Sequence, residues 1–109
     1  MREIHITVYD TNDVAVNGEN RDENFLGYDG ENEATELTIS LPYTGSFYLD
    51  WKTTSDTDFV EGATAYTESP ITYDVPDDVL IVGDVYLRIR VVDGSSIMFV
   101  DPIKFRVKP

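Results

Sequence analysis

The 109-residue chain contains no cysteine. That excludes a disulfide framework, thiolate metal sites and cysteine nucleophiles, and it is compatible with the cytosol. Histidine is nearly absent too, with His5 alone. A histidine base needs an oriented partner within hydrogen-bond reach. The sequence supplies none, so His5 reads as a surface or edge residue. No nucleophile elbow, P-loop, dinucleotide fingerprint or zincin motif occurs. No apolar run approaches the roughly 18 residues that cross a bilayer. The opening "MREIHITVYD" lacks the apolar core of about 7–15 residues that a secretory signal carries. The expectation is a non-catalytic protein without cofactor or metal, made in the cytoplasm. Basic residues are also scarce: 8 against 21 acidic ones, for a net charge of −13. Phosphate backbones and anionic membranes are repelled by such a surface, so neither nucleic acid nor membrane is an expected partner. Carboxylate pairs are too common in so acidic a chain to signal a glycosidase site.

What is present is period-two alternation bounded by turn residues. A hydrophobic fraction of 41% with 12% aromatics argues against disorder, and the length argues for one domain, residues 1–109. Ile4, Ile6 and Val8 alternate with polar residues. Residues 10–24 are polar and turn-rich, with a brief apolar signal at Val14 and Val16. Phe25, Leu26 and Tyr28 suggest a short edge strand. Leu37, Ile39 and Leu41 form a strand ended by Pro42. Phe47, Leu49 and Trp51 form another after the Thr44-Gly45 turn, with Trp51 expected in the core on a central strand. Residues 58–68 show no clear period. Ile71, Tyr73 and Val75 precede Pro76, and "DDVLIVGD" reads as a connection that dips an apolar cluster into the core. About seven strands and no helix predict an antiparallel β-sandwich of immunoglobulin-like type, with a closed barrel as the alternative.

The last quarter carries the strongest pattern. Val85, Leu87, Ile89 and Val91 alternate with Tyr86, Arg88 and Arg90. Ile97, Phe99, Ile103, Phe105 and Val107 follow, all odd-numbered. Facing residues of a hairpin have numbers of constant sum, and both must share a face. If all these odd residues point inward, the sum is even, and residues 93–95 form a three-residue loop with Val92 opposite Ser96. A two-residue turn would turn Ile97 and Phe99 outward. Asp101-Pro102 is expected to mark a bulge or edge, because Pro102 cannot donate to a ladder.

Two other ligand chemistries are testable on the sequence. Asp10, Asp13, Asp29 and Glu31 sit beside Asn and Gly, as calcium-loop acids do. Yet residues 10–23 and the "DGENEATE" stretch both fail the EF-hand spacing, so solvated turns are the simpler reading. Tyr48 and Tyr86 are expected to face away from the core, with Tyr43, Tyr66 and Tyr73 on or near loops. They could stack on a sugar, or serve packing and protein interfaces.

Charge is unevenly distributed. Five of the eight bases are Arg88, Arg90, Lys104, Arg106 and Lys108. All are even-numbered, so all should lie on the outward face of the last hairpin beside Tyr86. Residues 54–84 hold eight acids and no base. Outward charges protect a sheet from strand addition. They can equally form a basic stripe that meets an acidic face of a partner or another copy. On that second reading, neutralising Arg88 and Arg90 weakens assembly and leaves the melting temperature unchanged.

The segments "GENEATELTISLP" (30–42), "GSFYLDWKT" (45–53), "ITYDVPDDVL" (71–80) and "GDVYLRIRVVDGSSIMFVDPIKFRV" (83–107) occur in a telling order. With them the chain resembles the N-terminal β-sandwich domain of baseplate upper proteins, and related tail-fibre N-terminal domains, of phages infecting Gram-positive bacteria. The resemblance spans about residues 28–107. It implies a structural virion protein of the tail, baseplate or fibre attachment that docks to other virion proteins, and a virion localisation. Members of that family usually continue into a coiled coil or receptor-carrying region. A chain closing at Pro109 is then a freestanding relative or an excised domain. Alternatives of other classes are a capsid decoration or head-fibre base protein, a carbohydrate- or cell-surface-binding module, and an immunoglobulin-like domain of a bacterial surface protein.

Overall fold

A computed structural model describes residues 1–18 and 24–109. Residues 19–23 of the polar stretch expected at 10–24, including Arg21, lie outside the described residues. Nine strands are formed among those described: β1 (Arg2–Val8), β2 (Val14–Gly18), β3 (Phe25–Tyr28), β4 (Thr35–Ser40), β5 (Ser46–Lys52), β6 (Ile71–Asp74), β7 (Gly83–Asp93), β8 (Ser96–Phe99) and β9 (Ile103–Lys108). They build a four-stranded sheet in the order β2-β1-β4-β6 and a five-stranded sheet in the order β3-β9-β7-β5, with β8 also paired to β7. The two sheets stay separate, so the architecture is the expected all-β sandwich rather than a barrel. It holds nine strands instead of about seven, because Val14 and Val16 form β2 and residues 96–99 form β8. It is also mixed: β1 runs parallel to β4 and β3 parallel to β9, while the other pairings are antiparallel.

The alternating apolar residues fill the space between the sheets. Ile4, Ile6, Leu37, Ile39 and Ile71 come from the smaller sheet. Phe47, Leu49, Val85, Leu87, Ile89, Phe105 and Val107 come from the larger. Val79 and Leu80 dip into this core from the β6–β7 connection, as the sequence suggested. Trp51 is buried, but β5 ends the strand order of its sheet instead of lying centrally. Its outer edge carries the bridges Phe47–Tyr66 and Trp51–Val60.

The end of the chain departs from the sequence expectation. Asp93 pairs with Ser96 and Val92 with Ile97, so the loop has two residues, Gly94 and Ser95. Gly94 has φ 62°, a left-handed conformation that glycine adopts freely and that tight hairpin turns require. Ile97 and Phe99 therefore face outward and are exposed, while Val100 points in and is buried. The parity then changes. Val100 N–H donates to the Ile89 carbonyl, yet Leu87 pairs with Ile103. One extra residue at Asp101-Pro102 is the expected bulge, and it restores Ile103, Phe105 and Val107 to the core. The three-residue loop assumed one uniform parity from Ile97 to Val107; the bulge is where that parity breaks.

Candidate functional site

Cross-strand register arranges the outward face of the five-stranded sheet in rows. Tyr48, Arg90 and Phe99 lie side by side across β5, β7 and β8. Next come Asp50 and Arg88, and then Lys52, Tyr86 and Lys104. Asp84 and Arg106 form the following pair. Lys108 shares the parity of Lys104 and Arg106 on β9, and its Nζ lies 5.0 Å from the Phe25 ring centroid. All five expected bases thus share one face, and Lys52 joins them. Exposed Ile97 and Phe99 adjoin it.

The sequence did not reveal how that face is wired. Asp50 is fully buried although it points outward. Arg88 Nε and Nη2 donate to its Oδ2 at 2.9 and 2.8 Å. Arg90 Nε and Nη2 donate to Oδ2 and Oδ1, each at 3.3 Å. The Gly62 N–H donates to Oδ1 at 2.9 Å, and Arg90 Nη2 donates back to the Gly62 carbonyl at 3.0 Å. Exposed Glu61 stands 3.8 Å from Arg88 and 4.0 Å from Arg90. A buried charge is tolerated when it is paired and fully hydrogen-bonded, and here that pairing clamps residues 60–66 onto β5. Gly62 lies so close over β5 that an added Cβ would collide with the Leu49 carbonyl oxygen. The guanidinium faces are also occupied. Arg88 lies 4.7 Å from the Phe59 ring and 4.3 Å from Phe99, and Arg90 lies 4.3 Å from Tyr48.

This corrects the expectation that Arg88 and Arg90 could be neutralised without cost to stability. Removing either leaves Asp50 buried and underpaired. Lys104 and Arg106 are different: they are more than half exposed and reach Asp84 only at 3.7 and 3.6 Å. They are the exposed bases of this face on which docking can be tested.

The clamped segment forms one wall of a cleft of about 370 Å³ at the sandwich edge. Leu49, Trp51, Tyr66, Tyr73 and Val79 supply its apolar lining, while Asp56, Glu61 and Asp78 bring carboxylates. The Trp51 and Tyr73 rings stack at 6.2 Å, and Trp51 Nε1–H donates to the Tyr73 hydroxyl at 3.2 Å. Burial raises the Tyr73 and Tyr66 phenols above their ordinary range, so both rings stay neutral. Irregular spacing across residues 58–68 hid this cleft from the sequence.

The remaining candidates are dispersed. His5 is exposed on the outward face of the smaller sheet, opposite Asn17 and Thr38. Asp13 accepts from the Thr11 hydroxyl at 2.9 Å near the far end of β1. Asp29 accepts from the Val82 N–H at 3.1 Å, and Glu31 pairs with Arg2 at 2.8 Å. Arg2 opens β1 and Asp10 follows it, so about 20 Å of strand separates the Asp10/Asp13 turn from Glu31. Among the described residues, no three His, Asp or Glu side chains gather in a geometry that could hold a metal ion. Tyr43 donates to Asn12 Oδ1 at 2.9 Å and braces the β1–β2 turn. Tyr48 and Tyr86 lie on the outward face of the five-stranded sheet, and Tyr66 and Tyr73 line the cleft.

No family model, curated protein or solved structure matches the chain.

Proposed function

We propose that the chain is a non-catalytic structural protein of a phage virion, a β-sandwich that docks to other virion proteins through the outward face of its five-stranded sheet. The observation that carries this reading is the makeup of that face. It combines Lys104 and Arg106, the exposed apolar Ile97 and Phe99, and the aromatic Tyr48 and Tyr86 on a body of charge −13. Aromatics and arginine dominate the energetics of protein interfaces. A basic patch on an acidic molecule also steers an acidic partner to one orientation. The resemblance of the ordered segments of residues 28–107 to baseplate and fibre-attachment sandwiches supports a virion setting for the docking.

The Asp50 cluster makes the face rigid before docking, so few side chains lose freedom on association. The test is incorporation into particles. Virions purified from cells expressing the Ile97→Asp/Lys104→Glu variant should carry at least tenfold less of the chain by quantitative mass spectrometry, with its melting temperature unchanged. Equal incorporation of variant and wild type, or no wild-type chain in purified virions, would sink the reading.

A further inference from the structure

We infer that the edge cleft is a second recognition site, one that receives an arginine or lysine side chain of a partner protein. This inference stands apart from the docking reading, because the cleft lies at the β5 edge and, although it shares Glu61 and Gly62 with the Asp50 cluster, it includes none of Ile97, Phe99, Lys104 and Arg106. Three observations combine. The cleft presents the partly buried Tyr66 and Tyr73 over the buried Trp51, and neutral aromatic faces attract guanidinium and ammonium groups. Asp56, Glu61 and Asp78 are the charged residues of its lining; Glu61 also stands 3.8 Å from Arg88 and 4.0 Å from Arg90, so Asp56 and Asp78 carry the charge that no base answers. A concave site lined by one sign of charge focuses its field into the opening. Its volume of about 370 Å³ also exceeds what a small ion needs and suits a long side chain with its neighbouring backbone.

The polar groups are positioned to discriminate. Asp56 Oδ2 is committed to the Thr53 N–H and hydroxyl at 2.9 and 3.0 Å, which fixes that carboxylate at one end. Tyr73 accepts from Trp51 and keeps its own proton to donate. Val60, more than half exposed, lies at the mouth and can pack on an apolar stem. A cationic side chain satisfies both the rings and the acids. A neutral saccharide would satisfy the rings and leave the negative field unanswered. An acidic peptide is repelled.

Trp51 is the chain's single tryptophan, so its fluorescence reports on this cleft and nowhere else. The full chain is titrated with an arginine-containing peptide, the same peptide with citrulline in place of arginine, and neutral oligosaccharides. The expected result is a saturable change with the arginine peptide, at least fivefold weaker with citrulline and weakened by added salt. Asp78→Asn, at an exposed position, should reduce the affinity several-fold, while Lys104→Glu should not reduce it. Equal response to the citrulline peptide, response to oligosaccharides alone, or no response to any probe overturns the inference. Circular dichroism and melting curves confirm that each variant is folded.

Discussion

At the residue scale, Asp50 is the side chain on which the most depends. Its burial is stable only because two guanidinium groups and the Gly62 N–H converge on it. Asp50→Asn keeps the shape and removes the charge, which leaves Arg88 and Arg90 facing each other. The expected loss is about 3 kcal/mol in urea unfolding, at the low end for a broken buried pair because the arginines keep some contact with water. A loss below about 0.5 kcal/mol would contradict the clamp. Glu31 is a second, gentler case. Its hydrogen bond from Arg2 holds its carboxyl below the ordinary range. A depressed folded-state pKa gives stability that is full above the unfolded value and lost as pH falls through the folded one. Glu31→Gln should therefore flatten the acid side of the stability profile below about pH 4.5, with little change in its slope at neutral pH. Parity in the sequence puts Arg88 and Arg90 on one face and does not single out Asp50. It could not show that both arginines meet Asp50, because the register between β5 and β7 is set across the long connection of residues 53–82.

At the element scale, the β7–β8–β9 region shows how a single extra residue decides which side chains reach the core. Deleting Asp101 would remove the extra residue, leaving Val100 and Ile103 two positions apart opposite Ile89 and Leu87, as in an unbulged strand. Ile103, Phe105 and Val107 would then keep their places opposite Leu87, Val85 and Gly83, and the chain should still give a cooperative melt. A deletion variant without a cooperative transition would show that the bulge itself is needed to hold β9 in register. The sequence made β1, β4, β6 and β7 readable because each is a clean alternation with turn residues at its ends. It also marked the bulge through Pro102. It misplaced Ile97 and Phe99 because side-chain type alone cannot distinguish an exposed apolar residue on an outer face from a core residue. The segment of residues 60–66 was unreadable for a different reason. It is held by a buried carboxylate and by close backbone approach, neither of which leaves a period in the sequence. Gly62→Ala should test this directly. The added methyl meets the Leu49 carbonyl, and a loss of about 1–3 kcal/mol is expected. Binding at the cleft should weaken in the same variant.

At the scale of the whole molecule, the sandwich measures 40 × 28 × 21 Å and carries its charge unevenly. The outward face of the smaller sheet sets Glu3, Glu36 and Asp74 side by side across three strands. Like charges directly opposite are destabilising, so stability should rise with moderate salt, which screens them. Docking through the basic face should respond in the opposite sense and weaken as salt rises. These opposite responses separate the fold's electrostatics from the interface's. The most direct measurement of the docking claim is a cryo-EM map of the assembled particle at side-chain resolution. The expected map places this sandwich at a repeated position, with Ile97, Phe99, Lys104 and Arg106 buried against a neighbouring virion protein. A particle without this fold, or one in which that face looks out into solvent, would contradict the account.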